Sequence, residues 1–185
     1  MEIAEFFQSI KAPLAVVHVL GVVLGMGGAL VSDVLFSVFA KDKNLNETEI
    51  STLSILSKIV FYSLILISIS GIAIFLSDVE KYLDSAKFLA KMSILFVLLV
   101  NGYFLNKYIW PHLLNKDFFV SKEEQNTRRL SFVCGAISVI SWLSVITLGV
   151  FNRLDMSYSL IMSLYLAILL FGGIVALFVE KKELD

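Results

Sequence analysis

His18 heads a ladder of small residues, Gly21, Gly25, Gly28 and Ser32, spaced three or four positions apart. In a helix these positions share one face. Glycine there removes side-chain bulk, so a flat ligand or a second helix can come close to the backbone. A neutral imidazole above such a groove is the donor an axial haem-iron site needs. His18 with Gly21, Gly25 and Gly28 is thus a candidate b-type haem pocket, and it is equally a seam along which two helices pack. The sequence leaves both readings open.

Further polar groups lie inside apolar stretches, where an ionisable side chain is costly and faces the bundle interior or water. Asp33 lies about seven residues before the end of the first apolar segment, and Lys58 about eight after the start of the second. At 1.5 Å per residue, both sit roughly 10–12 Å below the same surface. Three readings follow: an ion pair that fixes register, a lysine snorkelling beside a hydrated carboxylate, or a proton or cation path. Lys91 lies about one helical turn into the third segment, nearly level with His18. It is either a snorkelling lysine or a partner to His18, as second haem ligand or substrate-side cation. Asn101 and Asn106 can tie helices together or extend a polar path.

Other chemistries lack their residues. His112 follows Trp110-Pro111 at the far end of the third segment, a membrane thickness from His18, so it is expected at the interface and bis-histidine ligation is not expected. No HxxxH, HExxH, Cys/His set or methionine-rich run offers a zinc or copper site. Cys134 is the one cysteine, which removes disulfide and CxxC readings. No nucleophile–base set or phosphate-cradling glycine loop is present.

These residues are carried by apolar segments. Of the 185 residues, 58% are hydrophobic and 17% charged, more apolar surface than a soluble domain of this size can cover. Five segments follow one another: Pro13–Phe39, Ile50–Leu76, Phe88–Trp110, Leu130–Phe151 and Ser157–Val179. Each exceeds the roughly 20 residues a helix needs to span hydrocarbon. The expected fold is an all-α bundle of five transmembrane helices forming one domain in a lipid bilayer. No soluble catalytic module fits beside it, and a net charge of −1 offers nothing to nucleic acid. Met1-Glu2-Ile3-Ala4-Glu5 lacks the positive start of a signal peptide, so the first segment is expected to stay. Residues 2–11, with Phe6, Phe7 and Ile10, are expected to lie along the interface.

The linkers supply start and stop signals. Asn46 with Glu49, and Ser121 with Glu124, have capping-box spacing, while Asp84 and Asp155 are expected caps of the third and fifth helices. Pro111 is expected to end or kink the third helix. With five spans, one side carries Lys11, Lys81, Lys87, Lys91 and Arg153. The other carries Lys41, Lys43, Lys58, Lys107, Lys116, Lys122, Arg128, Arg129, Lys181 and Lys182. The positive-inside rule then puts the N-terminus outside and the C-terminus in the cytoplasm, and dropping Lys58 and Lys91 keeps that orientation. Ser131, Cys134, Gly135, Ser138, Ser141 and Gly149 predict close packing by the fourth helix, and Gly172 and Gly173 a close crossing by the fifth.

His18-Val19-Leu20-Gly21 with Gly25, Gly27 and Gly28 resembles the first helix of small bacterial membrane proteins. These include HemJ-type protoporphyrinogen oxidases and CopD-like copper-resistance proteins. Lys87-Phe88-Leu89-Ala90-Lys91-Met92-Ser93-Ile94-Leu95 is similar to the HemJ-type helix bearing an essential lysine, which corresponds to Lys91. The resemblance covers helices one to three. It implies b-type haem on the histidine, a lysine needed for activity, and a bacterial inner membrane. HemJ-type chains usually have four spans and further histidines, whereas Leu35–Phe39 and Val100–Tyr103 hold none here. The first functional expectation is haem-based electron transfer or redox chemistry, with a membrane redox partner or a second copy of the chain as partner. The alternatives are a small ion or proton channel or transporter using Asp33, Lys58, Asn101 and Asn106, and a non-catalytic assembly subunit.

Overall fold

Long apolar runs without interior proline, apart from Pro111, leave the backbone one way to satisfy its polar groups in lipid, the α-helix. The computed structural model describes residues 2–115, 118–151 and 155–184. Its elements are α1 (Glu2–Ser9), α2 (Lys11–Phe39), α3 (Glu47–Leu76), α4 (Val79–Leu83), α5 (Ala86–Phe104), α6 (Trp110–Leu113), α7 (Gln125–Val150) and α8 (Tyr158–Leu184). No strand occurs among the described residues. Five helices are long and apolar enough to cross a membrane: α2, α3, α5 continued through α6, α7 and α8. The chain is an all-α, multi-pass membrane-type bundle. Below, the N-face is the end of the bundle bearing α1, and the C-face the opposite end. Lys116 and Arg153, counted above for orientation, lie outside the described residues.

Local signals worked where they were purely local. The Asn46 side chain accepts from Glu49 N at 3.0 Å, and Glu49 accepts from Asn46 N at 2.9 Å, a complete capping box. The Ser121–Glu124 box does not form. Ser121 Oγ accepts instead from Glu123 N, and the Glu124 carboxylate is held by His112 at 2.8 Å and by Asn115. Ser85 rather than Asp84 caps α5, and Ser157 rather than Asp155 faces the first turn of α8. Pro111 neither ends nor breaks its helix. One π-helical turn, Leu105–Ile109, precedes it and the helix runs on to Leu113, re-registering the ladder around a residue that has no N–H to donate.

α2 and α3 form one tightly packed antiparallel pair, and α5, α7 and α8 form a second group, joined to the first mainly where α2 meets α7. The seams carry three apolar clusters. One centres on Trp142 with Leu64, Ile67 and Leu98, one on Ile94 with Leu148 and Tyr165, and one closes the C-face around Phe118, Phe119 and Leu53. The lipid-facing side of α8, including Leu170, Phe171 and Phe178, is exposed. Gly172 leaves room only for Ile140, and Ser141 lies fully buried with its hydroxyl 2.7 Å from Tyr165 Oη. A Cβ on Gly173 would meet nothing within 4 Å, so the close crossing expected of the fifth helix involves Gly172 and not Gly173.

Candidate functional site

The backbones of α3 and α5 stay apart, and between them lies a cleft of about 640 Å³. α2 contributes Ser32 and Asp33 to it, α3 Ser57 and Lys58, and the α5 helix Asn101 and Asn106. The sequence picked Asp33, Lys58, Asn101 and Asn106 from three separate segments, and all four line this one cavity. The amides are committed. Asn101 Nδ2 donates to Cys134 O at 3.0 Å, tying α5 to α7. Asn106 accepts from Ser57 Oγ and donates to Gly102 O, both at 3.0 Å, linking α3 to the π turn. The helix-tying role expected of these amides is therefore realised within the wall of the cleft.

The expected Asp33–Lys58 ion pair is absent. Among the described residues the ion pairs are His112–Glu124 and Arg129–Glu180. The reason is rotation. Asp33 follows Gly28, Gly25 and Gly21 by five, eight and twelve residues, so it is turned by about 80–140° from these glycines of the line that meets α3. It faces α7, where a Cβ on Gly135 would stand 3.3 Å from Asp33 Oδ1. Asp33 Oδ2 is buried and has no hydrogen-bond partner. Lys58 is exposed at the rim, with a stem long enough to carry its ammonium toward the C-face. The mouth of the cleft is apolar and aromatic: Phe61, Tyr62 and Tyr103 are all more than half exposed there.

Trp142 forms the back wall. Only 1% of it is exposed, and its indole Nε1 is also buried without a partner. Nothing in the sequence marks this residue, because one aromatic in an apolar helix carries no signal of its own. The clue was Gly25, whose missing side chain is what admits the ring: a Cβ there would lie 2.5 Å from Trp142 Cη2.

His18 sits in the other half of the bundle. Ser70 Oγ donates to Leu66 O at 2.6 Å, so its contact with His18 Nδ1 at 3.0 Å has the imidazole as donor. That places the lone pair on Nε2, the state an axial ligand needs. The ring lies against α3, with Cε1 3.4 Å from the position of a Cβ on Gly71. The slot is what fails. Cβ atoms on Gly21 and Gly28 would meet Ile67 Cγ1 at 2.9 Å and Val60 Cγ2 at 3.1 Å, and Gly25 is filled by Trp142. The glycine face is occupied by protein along its length, so a porphyrin does not fit where the sequence reading put it. Lys91 is half-buried on α5, with Nζ near Gly149 at the N-face end of α7. Lys87 Nζ donates to Phe151 O at 2.7 Å nearby.

The C-face holds a set of buried and paired charged groups. Arg128 is 7% exposed and donates to Phe118 O at 2.6 Å and Ser121 O at 2.7 Å, anchoring the loop before α7. Glu180 is 4% exposed and lies 3.6 Å from Arg129. His112 is at this end, as expected, in contact with Glu124. Among the described residues, no group of three or more His, Cys, Asp or Glu side chains is arranged to hold a metal ion. The chain matches no known protein family, curated protein or solved structure.

Proposed function

We propose that the protein is a small transporter or channel in which Asp33 receives a cation or proton inside the cleft between α3 and α5. One observation carries the reading. Asp33, Lys58, Asn101 and Asn106, from three helices, line a single cavity, and its one carboxylate keeps a buried oxygen without a partner. An unpaired acid in a dry interior is expensive. A bundle that served packing alone gains nothing from it, whereas a site for a cation or proton requires it. Ser57 and Asn106 carry the polar lining from Asp33 toward the C-face. The ten-to-five distribution of Lys and Arg supports an outside N-terminus and a cytoplasmic C-face.

The experiment is flux in reconstituted vesicles. Under an imposed membrane potential, wild-type protein is expected to pass protons or a monovalent cation, and Asp33→Asn, which keeps shape and removes the charge, is expected to lose most of that flux. Equal flux through wild type and Asp33→Asn, or none through either, overturns the proposal.

A further inference from the structure

The shape and lining of the same cleft narrow its substrate class. We propose that it binds a lipophilic organic monocation entering sideways from the bilayer, an inference that rests on reading this cleft as the working site. Its volume of about 640 Å³ is in the range of pockets for drug-sized molecules and far larger than a dehydrated metal ion needs. Its mouth lies between two helices rather than at a face of the bundle. The mouth is framed by Ile65, Ile69 and Leu99, all exposed on lipid-facing helix surfaces.

The charge pattern runs from the mouth inward. Phe61, Tyr62 and Tyr103 present ring faces and edges at the entrance, and such rings attract a poorly hydrated cation. Asp33 lies inside with an oxygen that nothing in the protein satisfies. Lys58, the one cation of the lining, is exposed at the rim and not paired with Asp33. A strongly hydrated ion gains little from aromatic walls and would have to cross them. A cation with an apolar body gains from the walls and from the carboxylate together.

Tetraphenylphosphonium binding to the full-length protein in a neutral detergent, measured by equilibrium dialysis, tests this. One saturable site per chain is expected. Asp33→Asn should weaken it at least tenfold, Asp33→Glu should retain it, and Lys58→Met should not weaken it. Tyr103→Leu alters an exposed side chain and leaves the core untouched; it should cost about threefold through the lost ring. Triphenylphosphine oxide, similar in bulk but neutral, should not compete. The inference is overturned by absence of saturable binding, by unchanged affinity in Asp33→Asn, or by effective competition from the neutral compound. If Asp33-dependent flux of small ions persists without tetraphenylphosphonium binding, the substrate class falls and the transport reading stands. If both fail, both fall.

Discussion

Gly25→Ala against Gly27→Ala is the sharpest test of what the glycine ladder does. The two residues are neighbours on α2, yet their surroundings are opposite. A Cβ on Gly25 would stand 2.5 and 2.8 Å from two ring carbons of Trp142 and 3.2 Å from Ser63 Cβ, whereas a Cβ on Gly27 meets nothing within 4 Å. Carbon atoms in good contact are about 3.5–4.0 Å apart, so the added methyl needs roughly 1 Å of retreat. The ring cannot yield cheaply, being 1% exposed and packed against Leu64, Ile67 and Leu98. Overpacking of this kind costs about 1–3 kcal/mol. The better helix propensity of alanine offsets up to about 1 kcal/mol and is the whole effect at Gly27. Gly25→Ala is therefore expected to be destabilised by roughly 1–2 kcal/mol, and Gly27→Ala to be neutral or slightly stabilised. Thermal unfolding in detergent, followed by circular dichroism and by retention on size exclusion, reads the difference. Equal melting temperatures for the two variants would refute the assignment of Gly25 to a protein–protein seam.

Two further outcomes follow from the packing. Purified protein given haemin is expected to show no Soret band that His18→Ala removes, because α3 fills the face beneath the imidazole; a band lost on that substitution restores the haem pocket. At the C-face, Arg129→Ala is expected to lower the melting temperature more than Glu180→Gln does. Removing the half-exposed arginine strands a buried carboxylate, while the amide removes that charge and leaves the arginine to solvent; the reverse order would count against the Arg129–Glu180 pair as a stabilising contact.

The parts of the fold legible in the sequence are those set by one stretch of chain at a time. Hydropathy over some 20 residues is enough to place a spanning helix, and all five apolar segments became helices capable of it. The Asn46–Glu49 box closes within one turn and needs nothing from elsewhere. Ser121–Glu124 has the same spacing, but His112 on α6 and Asn115 just after it take the carboxylate. Asp33 and Lys58 were matched by depth, which the rise per residue supplies, yet pairing also depends on rotation about the helix axis. That rotation depends on which line of α2 packs on α3, a choice made by Ile67, Val60 and Trp142 from other helices. The cleft is a void between α3 and α5, and a void has no residue pattern. Its lining was readable one residue at a time, its existence was not.

The glycine ladder and the polar set around Asp33, alternatives in the sequence, are parts of one arrangement. Without a side chain at Gly25, Trp142 reaches into the α2–α3 seam and fixes α7 against α2. Seven residues back along α7, Gly135 then stands beside Asp33, and its lack of a side chain leaves the carboxyl group room. Asn101, donating to Cys134 O, holds α5 on the other side of α7. α5 is thus anchored to α7, and α3 to α2. The two anchored pairs meet chiefly through α2 and α7, so α3 and α5 stand apart over the length where Asp33 lines the gap between them. The close packing on one line of α2 is what opens the space beside another, so the cleft that Asp33 lines depends on glycines that do not line it.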